Sequence, residues 1–268
     1  MSSTDGDSTE LADWDPQLTE RLMGVLRPVV KKWFRSEVRG LELLPRGGAL
    51  LVSNHSGGLI PMDTPVLAVD FYDTFGYGRP ILTLSHDGLV SGPTADFFAR
   101  IGYIRATRDN AAKALRSGSV VIVFPGGDYD NARPILSANT IDFNGRTGYV
   151  KTALEARVPI VPTVSIGGQE AQLFLSRGEW LARRLGLDRR LRIKYVPISF
   201  GFPFGPSVFL PVNLPLPTKI VTQVLAPIDV VSTFGEDADP ATVDAHVRWV
   251  MQNALDELAA KRRFPVLG

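Results

Sequence analysis

Residues 49–58 read Ala-Leu-Leu-Val-Ser-Asn-His-Ser-Gly-Gly. A short apolar run that stops at polar residues and then glycines is a buried strand running into a loop. Outward from it, apolar runs and helical patterns alternate. Pro61 can start a helix at its first position, and Thr64–Tyr72 continues it. Ile81–Leu84, Tyr103–Ala106, Val120–Phe124 and Ile160–Ile166 read as strands. Thr94–Arg100, Asn110–Arg116 and Thr147–Ala156 read as the helices between them. Ile220–Leu225 is a late strand. Val243, Val247, Val250, Leu255 and Leu258 mark one face of a C-terminal helix. Strands alternating with helices predict an α/β fold, a largely parallel central sheet flanked by helices, in a single domain over residues 37–268. On the N-terminal side, residues 12–36 carry Leu18, Leu22, Leu26, Val29, Val30 and Trp33 at helical spacing. Arg21, Arg27, Lys31, Lys32 and Arg35 stand on the other faces. This predicts an N-terminal amphipathic helix, or two with a kink at Pro28, that covers the core or lies on a membrane surface. Residues 1–11 are polar and acidic. They predict a disordered tail and lack the basic-then-apolar order of a signal peptide.

Composition bounds the function. The 268 residues are 44% hydrophobic and 21% charged, which suits one large packed domain. A net charge of +1 gives no bias toward nucleic acid. With no cysteine, disulfides, thiolate metal sites and cysteine nucleophiles are excluded together. Tyr195–Thr218 has no charged residue, yet its six prolines each remove a backbone donor, so it cannot span a bilayer as a helix. It reads as an extended apolar loop, buried beneath the domain or facing lipid.

In open α/β sheets, ligands bind beyond the carboxyl ends of strands. Two such ends carry unusual loops, Ser53–Gly58 and Phe124–Asp130. Of the three histidines, His246 falls in the C-terminal helix and His86 in a turn; His55 ends a buried strand beside two glycines that permit close approach of a ligand. Asp63 follows His55 by eight positions, too far for a hydrogen bond along one helix but reachable if the loop folds back. Such a carboxylate fixes the imidazole tautomer, and Asp128 is its rival for that role. There is no Gly-x-Ser-x-Gly elbow and no P-loop, and three scattered histidines make a poor zinc site, so no metal and no cofactor are expected. Acyl transfer here would need direct attack by an acceptor hydroxyl, assisted by a base.

Four blocks, in order, resemble the glycerolipid acyltransferase family, which includes the lysophosphatidic acid acyltransferases. They are Asn54-His55 with Asp63; Ile101–Arg108, containing Gly102 and Arg108; Phe124-Pro125-Gly126-Gly127; and Val158–Pro162. The resemblance implies acyl transfer from acyl-CoA or acyl carrier protein to a lipid hydroxyl, with His55 as general base and Asp63 orienting it. It implies substrate contacts at Asn54, Gly102, Arg108, Phe124, Pro125, Gly126, Gly127 and Asp128. Two departures stand out. Seven residues intervene between His55 and Asp63, more than is usual in the family. Gly126 and Asp128-Tyr129 stand where the family usually has glutamate and Thr-Arg. The missing arginine removes a phosphate contact that Arg108 or Arg133 would supply instead. The Phe-Pro-Gly-Gly form is similar to that of branches acting on mono- or diacylglycerol, so an uncharged acceptor is expected. The enzyme is expected in the cytoplasm, peripherally associated with a membrane. A hydrolase using water at the same site, and a non-catalytic lipid-binding protein, are the competing readings.

Overall fold

The computed structural model describes residues 13–57, 61–190, 193–208, 210–264 and 266; the predicted tail over 1–11 and Gly58 lie outside them. Helix α1 (Pro16–Pro28) and a π-helical turn (Val29–Trp33) open the chain, followed by strand β1 (Glu37–Arg39). Then come β2 (Ala49–Ser53), α2 (Asp63–Phe75), β3 (Ile81–Ser85), α3 (Ala95–Arg100), β4 (Tyr103–Arg105), α4 (Arg108–Arg116) and β5 (Val120–Val123). Next are α5 (Gly127–Asn131), α6 (Gly148–Ala156), β6 (Ile160–Ile166), β7 (Leu173–Ser176), α7 (Glu179–Arg184) and α8 (Leu187–Arg190). β8 (Ile198–Gly201), β9 (Gly205–Val208), β10 (Val221–Val224), α9 (Val230–Phe234) and α10 (Pro240–Lys261) complete the fold.

Among the described residues, seven strands form the main sheet in the order β1-β10-β6-β2-β5-β3-β4. β6, β2, β5, β3 and β4 run parallel; β10 runs antiparallel to β6, and β1 follows β10. The strands β2, β5 and β6 are buried along almost their whole length because helices cover both sheet faces, so β2 and β5 read as apolar runs, while β6 carries buried Thr163 and Ser165 among its aliphatics. Alternation along β2 sends Leu50 and Val52 to one layer, with Val150, Val247 and Met251, and Leu51 to the other, with Val66, Phe71 and Phe34. The chain leaves β2 toward β3 on one side and later adds β6 on the other. The loop after β2 therefore sits where the strand order reverses, the usual place for a ligand crevice.

Several expectations are corrected in detail. The α2 helix starts at Asp63, two residues after Pro61. On α10 the buried residue is Met251, not Val250. β1 has only three residues on a sheet edge, too short to show a period. Tyr195–Thr218 is not simply loop: it contributes β8 and β9 to a second sheet, ordered β7-β8-β9. Pro28 ends α1 and the π-helical turn follows. The apolar stripe of this segment is divided. Met23, Val30 and Phe34 are buried in the core, whereas Val25, Val29 and Trp33 are exposed.

A buried polar lock joins α6 to α10. The Tyr149 hydroxyl donates to Asp244 Oδ1 at 2.9 Å, and Arg248 Nε donates to Asp244 Oδ2 at 2.8 Å. Burial, and then the Asp244 charge, push the Tyr149 phenol well above its ordinary pKa, so it stays a donor. Asp244→Ala leaves that hydroxyl buried without an acceptor, which costs about 1–3 kcal/mol. Urea denaturation should show this loss, and Tyr149→Phe in the Asp244→Ala background should recover part of it.

Candidate active site

His55 lies two residues beyond β2, and Phe124 directly follows β5. Because the two strands pair in parallel with Val52 opposite Val123, their loops leave the sheet side by side. The two rings stack, with centroids 4.0 Å apart and planes 6° from parallel. The loop after β6 closes the third side: Gly168 packs on Ser56 so tightly that a Cβ there would fall 2.1 Å from Ser56 Oγ.

The segment after His55 folds back to the first turn of α2. His55 Nδ1 lies 3.1 Å from Asp63 Oδ2. Asp63 is buried, and the Ser56 backbone N–H donates to both its oxygens at 3.1 and 3.2 Å, with Ser56 Oγ also donating to Oδ1. A carboxylate held by these donors is an acceptor only, so Nδ1–H of His55 is the donor in this pair. The tautomer follows: Nε2 carries the lone pair, on a side chain 14% exposed. The long spacing thus lets Asp63 bind His55 and Ser56 together.

A second carboxylate holds the His55 backbone. The His55 backbone N–H donates to Asp130 Oδ2 at 2.6 Å. Asp130 is fully buried and ion-paired with Arg133. Gly126 makes room for it, since a Cβ there would come within 2.4 Å of Asp130 Cβ. This accounts sterically for glycine where the family usually has glutamate.

A histidine oriented by a buried carboxylate, at the carboxyl end of the central strand, has the geometry that proton transfer to and from an attacking oxygen requires. Residues 35–166 match the family described as Acyltransferase. An uncharacterized protein of Mycobacterium tuberculosis is 33% identical over 93% of this chain and 69% of its own length.

The chain belongs to the acyltransferase family.

It is an enzyme of that class. The mouse protein named DGAT1/2-independent enzyme synthesizing storage lipids is 27% identical, over 81% of this acyltransferase and 62% of the mouse chain. The crystal structure of the 1-acyl-sn-glycerophosphate (LPA) acyltransferase PlsC from Thermotoga maritima shares the fold, with a TM-score of 0.54 at 18% identity. That match covers 91% of this acyltransferase and 82% of PlsC.

The remaining predicted site residues divide into those near the site and those used elsewhere. Arg108 is exposed at the start of α4 and lines a cavity of about 180 Å³ with Leu84, Val123, Tyr149 and Thr152. Pro125 and Gly126 accept from Arg146 Nη1 through their carbonyls at 3.3 and 2.9 Å, and Gly127 N–H donates to Phe124 O within the turn. Asp128 pairs with Arg146 at 2.8 Å, so it is Asp63 that partners His55. Three expectations are corrected. Asn54 is buried, its amide spanning the Ser165 backbone with two 2.9 Å bonds that pin the loop to β6. Gly102 precedes β4, at the end of the strand away from His55. With φ +94° and a Cβ position 2.5 Å from Ile81 O, it serves a tight turn. Arg133 does not face an acceptor. The residue is 1% exposed, its guanidinium donates to Ala138 O, and burial lowers its pKa to about 10.

Asp130, Ser56, Arg146 and Gln169 were not singled out by the sequence. Gln169 is buried against Gly57, and its amide has no hydrogen-bond partner among the described residues. His86 accepts from Gly88 N–H within its turn, and His246 packs between Phe234 and Trp249.

Proposed function

We propose that this enzyme moves a fatty acyl group from an acyl thioester, acyl-CoA or acyl carrier protein, to a hydroxyl of a glycerolipid, with His55 as general base. The observation that carries this reading is the His55–Asp63 pair, with Nε2 left as the acceptor. The acceptor oxygen attacks the thioester carbonyl carbon as Nε2 takes its proton. Asp63 stabilises the imidazolium through Nδ1–H. The tetrahedral intermediate then collapses, the C–S bond breaks, and His55 returns the proton to the leaving thiolate. Near-parallel stacking on Phe124 holds the ring plane fixed throughout.

The acceptor is uncharged in this reading, a mono- or diacylglycerol. Arg133 is buried in an ion pair, Arg146 is occupied by Asp128 and two carbonyls, and an acid stands at position 128 where the family usually presents Thr-Arg. The storage-lipid name of the mouse relative agrees with this direction. Among the described residues no helix is long and apolar enough to cross a membrane. In this proposal the enzyme acts from the cytoplasm, peripherally associated with the membrane that holds its acceptor.

The test is a purified-enzyme assay with acyl-CoA against lyso-phospholipids, monoacylglycerol and diacylglycerol, reading products by mass. Transfer to a neutral glyceride at a rate at least equal to that with lysophosphatidic acid is expected. Arg108→Ala should change the neutral-acceptor rate by less than about fivefold, because a single exposed cation contributes little without a fixed anion beside it. A strong preference for the phosphomonoester, lost on Arg108→Ala, would overturn the assignment. Thioester hydrolysis unaffected by any acceptor would make the enzyme a hydrolase instead.

A further inference from the structure

The second sheet is built inside out. On its buried side the cross-strand row is Phe174, Ser199 and Ser207, with the two serine hydroxyls 3.0 Å apart. On its outer side stand Leu175, Phe200 and Val208, all exposed. A sheet with one face in water normally alternates the other way, apolar inward and polar outward. The apolar exposure continues past the strand ends, with Phe202 68%, Phe204 53%, Leu210 65% and Leu214 58% exposed. Hydrogen bonds tie these together: Leu214 N–H donates to Phe202 O at 2.8 Å, and Phe204 N–H to the Asn213 side-chain Oδ1 at 3.1 Å. A contiguous exposed patch of this kind marks an interaction surface.

We infer that this face is the membrane-docking surface of the enzyme, seating the outer sheet and its Phe202–Phe204 turn in the interfacial layer of an anionic bilayer. The inference rests on the reading of the enzyme as acting on a lipid acceptor. Two observations select a bilayer over a protein partner. The first is continuity with the site. Leu214 and Pro215 share a groove of about 510 Å³ with Val29, Trp33 and Met62, and Met62 immediately precedes Asp63. Trp33 is fastened there by its indole N–H, which donates to Pro215 O at 3.1 Å. A lipid lifted from a bilayer under this face would enter this groove, where Met62 stands one residue from Asp63, the partner of His55. The second is charge. From Tyr195 to Thr218 there is no charged residue, and lysines 194 and 219 flank the stretch. Lys32 is the one charged side chain on the groove among the described residues. Arg183, Arg184 and Arg189, all exposed, lie on the short helices between β7 and β8. Exposed aromatic groups in an uncharged stretch, with cations on either side of it in the chain and Lys32 at the groove, are the composition of a surface that lies in the lipid interface.

The test uses the full chain with phosphatidylcholine vesicles, with and without phosphatidylglycerol. Phe202→Trp places an indole at the patch without loss of apolar character, and lipids brominated on the acyl chain should quench it. Adding phosphatidylglycerol should strengthen binding, and salt should weaken it. The triple substitution Phe200→Ser, Phe202→Ser, Phe204→Ser should lower the vesicle-bound fraction by about tenfold or more. Its transfer to a short-chain, water-soluble acceptor should stay within about twofold, because none of these residues touches His55 or Asp63. An unquenched indole, or unchanged vesicle binding by a folded triple variant, would overturn the inference. So would a stable dimer of the unmodified chain that the triple substitution disperses, since the face would then belong to a second copy. Quenching without transfer to any acceptor would instead count against the acyltransfer reading and leave this surface standing.

Discussion

His55→Ala is expected to lower acyl transfer by about 10²–10⁴-fold, the usual contribution of a positioned general base, while the protein still melts cooperatively. The imidazole is only part-buried. Removing it costs one stacking contact with Phe124 and one hydrogen bond to Asp63, and leaves the carboxylate its Ser56 donors. Stability should therefore fall by no more than about 1–2 kcal/mol. His55→Gln separates shape from chemistry, because an amide can still donate to Asp63 but cannot accept a proton. It should be as inactive as the alanine variant. Asp63→Asn tests the tautomer: an amide there no longer requires Nδ1 to be the donor, so the rate should fall by about 10²-fold or more. Each variant is measured by thioester consumption and product formation on the same preparation. Near-normal turnover by a folded His55→Ala protein would remove His55 from the mechanism.

The parts of the fold that the sequence made legible are those with strong periodicity. β2 and β5 are apolar runs and β6 is mostly aliphatic because both faces are covered, and α10 shows its buried stripe every three or four residues. The inside-out sheet was hidden because its alternation is inverted and its strands are four residues long between prolines and glycines. At the site, the His55–Asp63 contact could be anticipated from Gly57 and Pro61, which together signal a fold-back. The contacts that cross the chain could not. Asn54 pairs with Ser165 over 111 residues, and His55 with Asp130 over 75. Nothing local distinguishes a polar side chain that pins a loop from one that binds a ligand. For Asp130 one signal was present: Arg133 lies three positions on, at ion-pair spacing, just after two glycines that leave space beside the loop.

Asp130 is expected to act on both stability and rate, and the two effects should be separable. It is a positioning residue: its carboxylate accepts the His55 backbone N–H and neutralises Arg133, and it touches no reacting atom in the proposed step. Asp130→Ala strands the Arg133 guanidinium without its counter-charge in a buried site, which costs about 3–5 kcal/mol. The single variant therefore confounds misfolding with misplacement of His55. Replacing both partners, Asp130→Leu with Arg133→Met, removes both buried charges. Apolar groups of similar volume commonly restore stability in such pairs. The double variant should thus melt near the parent, yet the His55 N–H would still lack its acceptor. A missing acceptor for a buried donor costs about 1–3 kcal/mol, and the His55 loop can relieve it only by moving. A shift of that kind in a general base lowers kcat more than it raises KM, because ground-state binding of the lipid does not depend on the ring position. We expect kcat to fall by about tenfold or more, with KM changed by less than about threefold. Asp130→Asn, which keeps an oxygen acceptor in place, should retain more activity than the double variant despite lower stability. If activity instead follows stability across all three variants, the carboxylate serves only to neutralise Arg133, and the His55 loop is held by Asn54 and Ser56 alone.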